Sequence, residues 1–317
     1  MMLIYNGTMK KILLFGSATA DITLQIDHLP SSEEDLNPTH QKITLGGCAC
    51  NVAMMMKLSG VPFTLAVPVG KGLYGGFVSR QLQERNIPVW KESEEENGSC
   101  TCLVTPDGNR TFLAVHGGEY HYQKKWLESL HPEDYSMVYI CGIDLEEPCN
   151  DCLIDWVQQA HLPICFACGP RIAHLQQDRL ERVMALHPII HCNAKEAEIL
   201  LKRIQLPISN ITKNARMLSA DTENLVVITD GDRGCVACND GEILSIPSFP
   251  VRAIDGTGAG DGHIGTILSC LYKGYSLKRA LSIASAVSAA IVQVEGPVLS
   301  RQQYEKLLPS FAKEEDF

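Results

Sequence analysis

The densest chemistry in the chain lies at Asp255-Gly256-Thr257-Gly258-Ala259-Gly260-Asp261-Gly262-His263-Ile264-Gly265. Beyond Asp261, the apolar residues Ile264, Ile267, Leu268 and Leu271 recur at helical spacing, and Gly274 is placed to stop the helix. The glycines therefore sit at a helix N-terminus. Free backbone N–H groups and the positive end of the dipole attract anions there, and residues without bulk let a phosphate approach the main chain. A carboxylate in such a turn repels a phosphate unless it has another task. Asp261 reads as a general base that faces a hydroxyl and takes its proton while neighbouring amides hold a phosphoryl group.

Two rival readings attach to the same stretch. Gly260, Gly262 and Gly265 also spell G-x-G-x-x-G, but a dinucleotide site needs an acidic residue roughly 20 positions on to hold the ribose. No Asp or Glu occurs between Asp261 and Glu295. The plain alternative is a capping turn whose glycines serve only tight packing.

Gly46-Gly47-Cys48-Ala49-Cys50-Asn51-Val52-Ala53 is the second stretch with chemistry. Its glycines let the main chain pass against a ligand, and Asn51 can both donate to and accept from hydroxyls. Together the two stretches resemble the signatures of the ribokinase family of sugar and nucleoside kinases, also called the phosphofructokinase-B family. That family reads Gly-Gly-x-x-x-Asn-x-Ala near the N-terminus and Asp-Thr-(Thr or Val)-Gly-Ala-Gly-Asp-(Ala or Ser)-Phe near the C-terminus. Here Gly256 follows Asp255, and Gly262-His263 replaces the small residue and Phe, while the core from Gly258 to Asp261 is intact.

The resemblance covers Lys10 to about Leu308 and implies roles residue by residue. Asp261 is the base, with the amides of Gly258, Ala259 and Gly260 as the anion hole. Asp21, Gly46, Gly47 and Asn51 place the sugar, and Leu145-Glu146-Glu147-Pro148 resembles a Leu-Glu-x-Pro motif whose Glu, here Glu146, reaches it. Asn193-Ala194-Lys195-Glu196 resembles the Asn-x-x-Glu motif near metal and phosphates, with Glu196 acting on magnesium through water. Thr229, Gly231 and Gly234 fall in a Thr-x-Gly-x-x-Gly nucleotide loop, and the segment at Ser285 lines the adenine. A monovalent cation, potassium, sits beside the residue equivalent to Asp255 in many relatives. Gly70-Lys71-Gly72-Leu73 departs from the family's Val-Gly-x-Asp turn, since Leu73 replaces the Asp.

The implied activity is that of an ATP-dependent sugar kinase, ribokinase- or fructokinase-like, phosphorylating a hydroxymethyl group. A nucleoside kinase of adenosine, inosine/guanosine or pseudouridine type is the alternative, with Phe112, His116 or Tyr120 as its base-binding surface. A non-catalytic sugar-responsive regulator would keep the fold but lose the base, and an oxidoreductase lacks the ribose-binding acid.

The elements that must position these residues follow from periodicity. Ile12 to Phe15 reads as a buried strand, Asp21 to Asp27 as a half-exposed one and Phe63 to Val69 as another. Gly75 to Asn86 suits a helix, and Glu92 to Glu96 reads as a solvated face or loop. Pro106-Asp107-Gly108-Asn109 makes a hairpin of Ser99–Thr105 and Arg110–Val115. From residue 137 strands and helices alternate, which signals a parallel sheet covered on both faces, with ligands at its carboxyl edge. The fold expected is α/β, ribokinase-like and three-layered, its mostly parallel sheet flanked by helices. One kinase domain spans 1–317, with lid strands at about 21–45 and 98–117. In the family such a lid covers the sugar and often forms a dimer, so a homodimer through the lid is expected.

The chain's 317 residues, 45% of them hydrophobic, suffice for a sizeable core, and a formal charge of −10 argues against nucleic acid or an anionic membrane as partner. No run approaches the ~18 apolar residues of a membrane span, and the start at Met9 is too short for a signal core, so a cytoplasmic protein is expected. Residues 1–8 read as an upstream extension and the acidic tail after Leu308 as frayed. Thirteen cysteines include C-x-x-C pairs at Cys149/Cys152, Cys165/Cys168 and Cys235/Cys238. They read as small core hydrophobes, since the last two pairs lie in apparent buried strands.

Overall fold

Successive residues of the first long strand go to different cores. Ile12 and Leu14 join one buried cluster and Leu13 and Phe15 another, and Tyr139 and Cys141 part from Val138 and Ile140 in the same way. A strand buried on both faces has no polar side to show, so its sequence is continuously apolar. The computed structural model describes residues 4–5 and 8–312. The extension read at 1–8 is thus described only in part, and of the tail residues 313–317 lie outside.

Strands β1 (Ile4–Tyr5) and β2 (Thr8–Met9) pair antiparallel ahead of β3 (Lys11–Leu14). The chain then makes β4 (Thr19–Gln25), β5 (His40–Gly46) and helix α1 (Cys48–Ser59), stopped by Gly60 in the left-handed region. β6 (Phe63–Leu65), β7 (Pro68–Lys71), α2 (Gly72–Glu84) and β8 (Lys91–Glu96) follow. The hairpin of β9 (Ser99–Val104) and β10 (Arg110–Val115) and the short α3 (Lys124–Leu127) come next. Alternation begins at β11 (Tyr135–Cys141): α4 (Asp151–Ala160), β12 (Ile164–Ala167), α5 (Gln177–Met184), β13 (Ile189–Asn193), α6 (Ala194–Arg203), α7 (Ile211–Thr222) and β14 (Val226–Thr229). The hairpin β15 (Cys235–Asn239) and β16 (Glu242–Ile246) leads to α8 (Ala259–Tyr272), α9 (Leu277–Ile291) and α10 (Arg301–Ala312).

The main sheet has eight strands in the order β16-β15-β14-β13-β12-β11-β3-β6, parallel from β14 to β6 and antiparallel at β15 and β16. Leu153, Leu180, Leu200 and Leu218, from α4 to α7, cover one face, and Val52, Val78, Ile264 and Leu281, from α1, α2, α8 and α9, cover the other. Each wholly buried leucine contributes about 1.5–3 kcal/mol. The succession runs one way from β11 to β14 and the other way from β3 to β6. The crevice beyond the carboxyl ends of β3 and β11 is therefore the switch point at which such sheets bind ligands.

A separate four-stranded sheet, β10-β9-β4-β5, is built from the segments expected to form the lid. Its register puts Asp21, Thr44 and Cys100 in one row and Thr23, Lys42, Cys102 and Phe112 in another on the same face. Two readings need correction. Phe63 to Val69 is not one strand, because Pro68 lacks an N–H and begins a new one: β6 stays with β3, while β7 pairs with β8. Of the two alternatives for Glu92 to Glu96 the solvated face holds and the loop does not. Its carboxylates are exposed, but its backbone pairs with β7 and Ser93 is buried. Cys165, Cys168, Cys235 and Cys238 are buried core residues, as read from the sequence.

Candidate active site

Asp261 stands in the first turn of α8, whose N-cap, Gly258, has φ 73°. A side chain at 258 would be strained by that backbone and would also meet the Pro297 carbonyl oxygen at 2.3 Å. Asp255 holds the approach: one of its oxygens accepts from the Thr257 N–H at 2.8 Å, the other from the Gly296 N–H at 3.0 Å. Gly262 replaces the family's Ala or Ser because Ile291 of α9 fills the space, its Cδ1 only 2.1 Å from where a Cβ would lie.

The Asn51 amide donates to Asp261 Oδ2 at 2.8 Å, which joins the two signature stretches in space. Burial raises the Asp261 pKa to about 7; the Asn51 bond opposes this, and the charges of Asp21 and Glu196 add to it. A carboxyl poised near neutrality suits a general base.

On one side of Asp261 lies the switch-point crevice. Asp21, bonded to the Thr19 hydroxyl at 2.8 Å, is raised to about 6, chiefly by burial. Gly46 lies so close that a Cβ there would sit 1.9 Å from Asp21 Oδ2, and Gly47 has φ 97° with its missing Cβ directed at the Ser17 carbonyl, 2.3 Å away. Around them are buried polar atoms without a protein partner: Ser17 Oγ, Asn51 Oδ1 and both oxygens of Asp144. Burial lifts Asp144 to about 8, and the Asp261 charge adds to it. Buried polar groups are almost always hydrogen-bonded, so this cluster suits a ligand rich in hydroxyls.

On the other side is a cleft of about 440 Å³ lined by Thr229, Gly231, Gly234, Ser285, Ala259 and Gly260, all expected from the sequence. It also includes Phe249, Val251, His263 and Val292, which were not. His263 Nδ1 lies 3.0 Å from His191 Nε2, and burial keeps both rings neutral, with His263 lowered to about 4. Asn193 and Glu196 form a capping box on α6, each side chain bonded to the other's backbone N–H at 2.9 and 3.0 Å. Capping and proximity to Asp261 coexist, because Glu196 is one of the charges that raise Asp261.

Glu146 is placed differently from the rest. Both its oxygens accept from Arg171 Nε at 3.0 Å, and these bonds run to Arg171 alone and not to Asp21, Asn51 or Asp261. The buried acid of that segment is Asp144, two residues earlier. Its signal in the sequence was faint: an Asp just past an apolar strand in a segment whose acids all attract attention. His116 stacks on Tyr120, ring centroids 3.9 Å apart, and bonds Glu147 at 2.7 Å, whereas Phe112 is 54% exposed.

The family description "pfkB family carbohydrate kinase" matches residues 9–303. The chain is 31% identical over 303 residues to the uncharacterized sugar kinase YegV of Escherichia coli, covering 95% of this chain and 94% of that one. It is 22% identical over 312 residues to a nucleoside kinase of Methanocaldococcus jannaschii, covering 97% and 99%. Among solved structures it is similar to ribokinase from Thermotoga maritima, with TM-score 0.81 and 19% identity over 95% of this chain and 99% of that one. It is also similar to Arabidopsis thaliana ribokinase complexed with ribose and ATP, with TM-score 0.76 and 20% identity over 94% and 98%.

Proposed function

The chain belongs to the pfkB family of carbohydrate kinases, and from that premise we propose that it transfers the γ-phosphoryl group of ATP to a hydroxymethyl group of a small sugar. It is a sugar or nucleoside kinase of the ribokinase family, a phosphotransferase acting on a hydroxyl group. One observation carries the finer reading. The Asp261 carboxyl lies between a cluster of unpartnered buried polar groups and a nucleotide-sized cleft, at the N-terminus of a helix.

In this reading the acceptor lies among Asp21, Gly46, Gly47, Asn51 and Asp144, with Glu146 and its partner Arg171 contacting it from farther out. ATP lies along Thr229, Gly231, Gly234 and Ser285. Asp261 takes the hydroxyl proton as the oxygen attacks the γ-phosphorus, the bond to the β-phosphate oxygen breaks, and the amides of Gly258, Ala259 and Gly260 hold the transferring oxygens. Most of the acceleration comes from alignment and charge stabilisation. Among the described residues no group of three His, Cys, Asp or Glu side chains could hold a metal by itself. Glu196 and Asn193 would hold a nucleotide-borne magnesium through water. Bound magnesium would neutralise phosphate charge. The whole chain, 1–317, acts as one kinase domain in which the lid strands are inserted, in the cytoplasm. No helix among the described residues is long and apolar enough to cross a membrane.

A nucleoside acceptor is the second reading, favoured by Phe112, an exposed aromatic on the lid face that also carries Asp21. ADP release from a panel of pentoses, hexoses and nucleosides tests both. We expect a free sugar to show the highest kcat/KM. A nucleoside in that place would install the second reading, and no ADP release with any acceptor would reject both.

A further inference from the structure

The Asp255 carboxylate, already bonded to two backbone amides, has a third partner that comes from across the cleft. Arg110, the first residue of β10 in the lid, places Nη2 3.1 Å from Asp255 Oδ1 and donates from the same nitrogen to the Ile254 carbonyl at 3.3 Å. Both side chains are shielded, 18% and 14% exposed. This is where the resemblance puts potassium. A hard monovalent ion binds through oxygens, and the carboxylate and carbonyl that it would use here are already taken by a guanidinium. A second positive charge beside the same carboxylate would be repelled by the first. The residues present do not fit the ion.

We infer that Arg110 is the built-in cation of this loop and takes the place of potassium, so that the shape of the anion hole is set by a charge carried on the lid. The inference rests on the kinase reading. Gly256 lies beside the same guanidinium. A Cβ there would have a single heavy-atom neighbour within 4 Å, Arg110 Nη1 at 3.5 Å, an ordinary van der Waals contact, so position 256 faces the guanidinium. Arginine suits the task because it is always charged and its planar fork matches a carboxylate. Lys42, on β5 at the opposite edge of the lid, reaches Glu295 at 3.3 Å, beside the Gly296 amide that Asp255 binds. Lid position and loop charge are therefore coupled: the cation is carried on the lid, and no concentration of salt is needed to supply it.

The test compares the full chain in potassium chloride and choline chloride at equal ionic strength, reading both phosphoryl transfer and melting temperature. Wild type should turn over within twofold in the two salts and show no potassium-specific rise in Tm. Arg110→Ala should lose at least tenfold in choline, recover part of that in potassium and gain a potassium-specific rise in Tm. Arg110→Gln, close in shape but uncharged, gives the same comparison if the alanine variant folds poorly. Lys42→Ala loosens the lid without freeing the carboxylate and should gain no potassium response. Tenfold stimulation of wild type by potassium, or a folded Arg110 variant whose Tm ignores potassium, overturns the inference. Absence of turnover in every salt would instead count against the kinase reading, and the Tm comparison would still decide the role of Arg110.

Discussion

Asp261 can accept a proton only when ionised, and its pKa stands at about 7. We expect kcat/KM to rise with pH up to about 7 and then level, falling roughly tenfold per unit on the acid side. Asp261→Asn should lower kcat by at least about 100-fold, the usual scale for loss of a general base, while ADP affinity by calorimetry changes little. Near-normal turnover would return the stretch to a capping role. Asp144 calls for a different measurement. Its pKa of about 8 in the folded chain lies above the ordinary carboxylate value, so the folded state holds the proton more tightly than the unfolded one. The stability this gives is full below about pH 4 and is lost as pH rises through about 8. Asp144→Asn, which cannot ionise, should flatten the decline of Tm between pH 4 and pH 8. It should also raise the acceptor KM and leave that of ATP unmoved, and an unchanged pH slope would show that Asp144 is not the group responsible.

At the scale of elements the site depends on how closely α8 approaches α9. Ile291 occupies the volume that a side chain at 262 would need, so the two helices are in close contact beside Asp261. Gly262→Ala should destabilise by about 1–3 kcal/mol in urea melts, the cost of an overpacked core contact. Adding Ile291→Val should return part of that loss. If the double variant is no more stable than the single, the helices have shifted apart and the contact does not limit their approach. The substitution in the family's small position and the isoleucine 29 residues later are then linked by space, a coupling that the linear sequence does not display.

The whole molecule presents an apolar surface on its lid. Leu113 and Val115 of β10 are 57% and 65% exposed and Ile43 of β5 is 44% exposed, and their register places them on the face opposite Asp21 and Phe112. β10 is also an edge strand with backbone groups free to pair. A second copy of the chain would cover both features, as expected of a lid-mediated homodimer. Light scattering on the purified chain should give the mass of a dimer, and Leu113→Glu should shift it toward the monomer. A wild-type monomer at micromolar concentration would dismiss this role for the lid.

The sequence by itself determined the periodic elements and the two signature stretches, because both depend on neighbours in the chain. Apolar continuity marked β3 and β11 to β14, turn chemistry marked the β9–β10 hairpin, and glycines before an acid marked the head of α8. Where local signals compete, reading failed: Pro68 splits a run that looks continuous, and the carboxylates of β8 hide a paired backbone. α7 and β16 were not picked out at all. Only the tertiary structure decided which acids share the site. Asn51 meets Asp261 across 210 positions, Asp144 turns inward where Glu146 turns to Arg171, and Arg110 crosses the cleft to Asp255. Charge and hydrogen-bonding capacity are written in residue types, but whether a carboxylate is solvated, paired or buried beside another depends on the space that folding leaves around it.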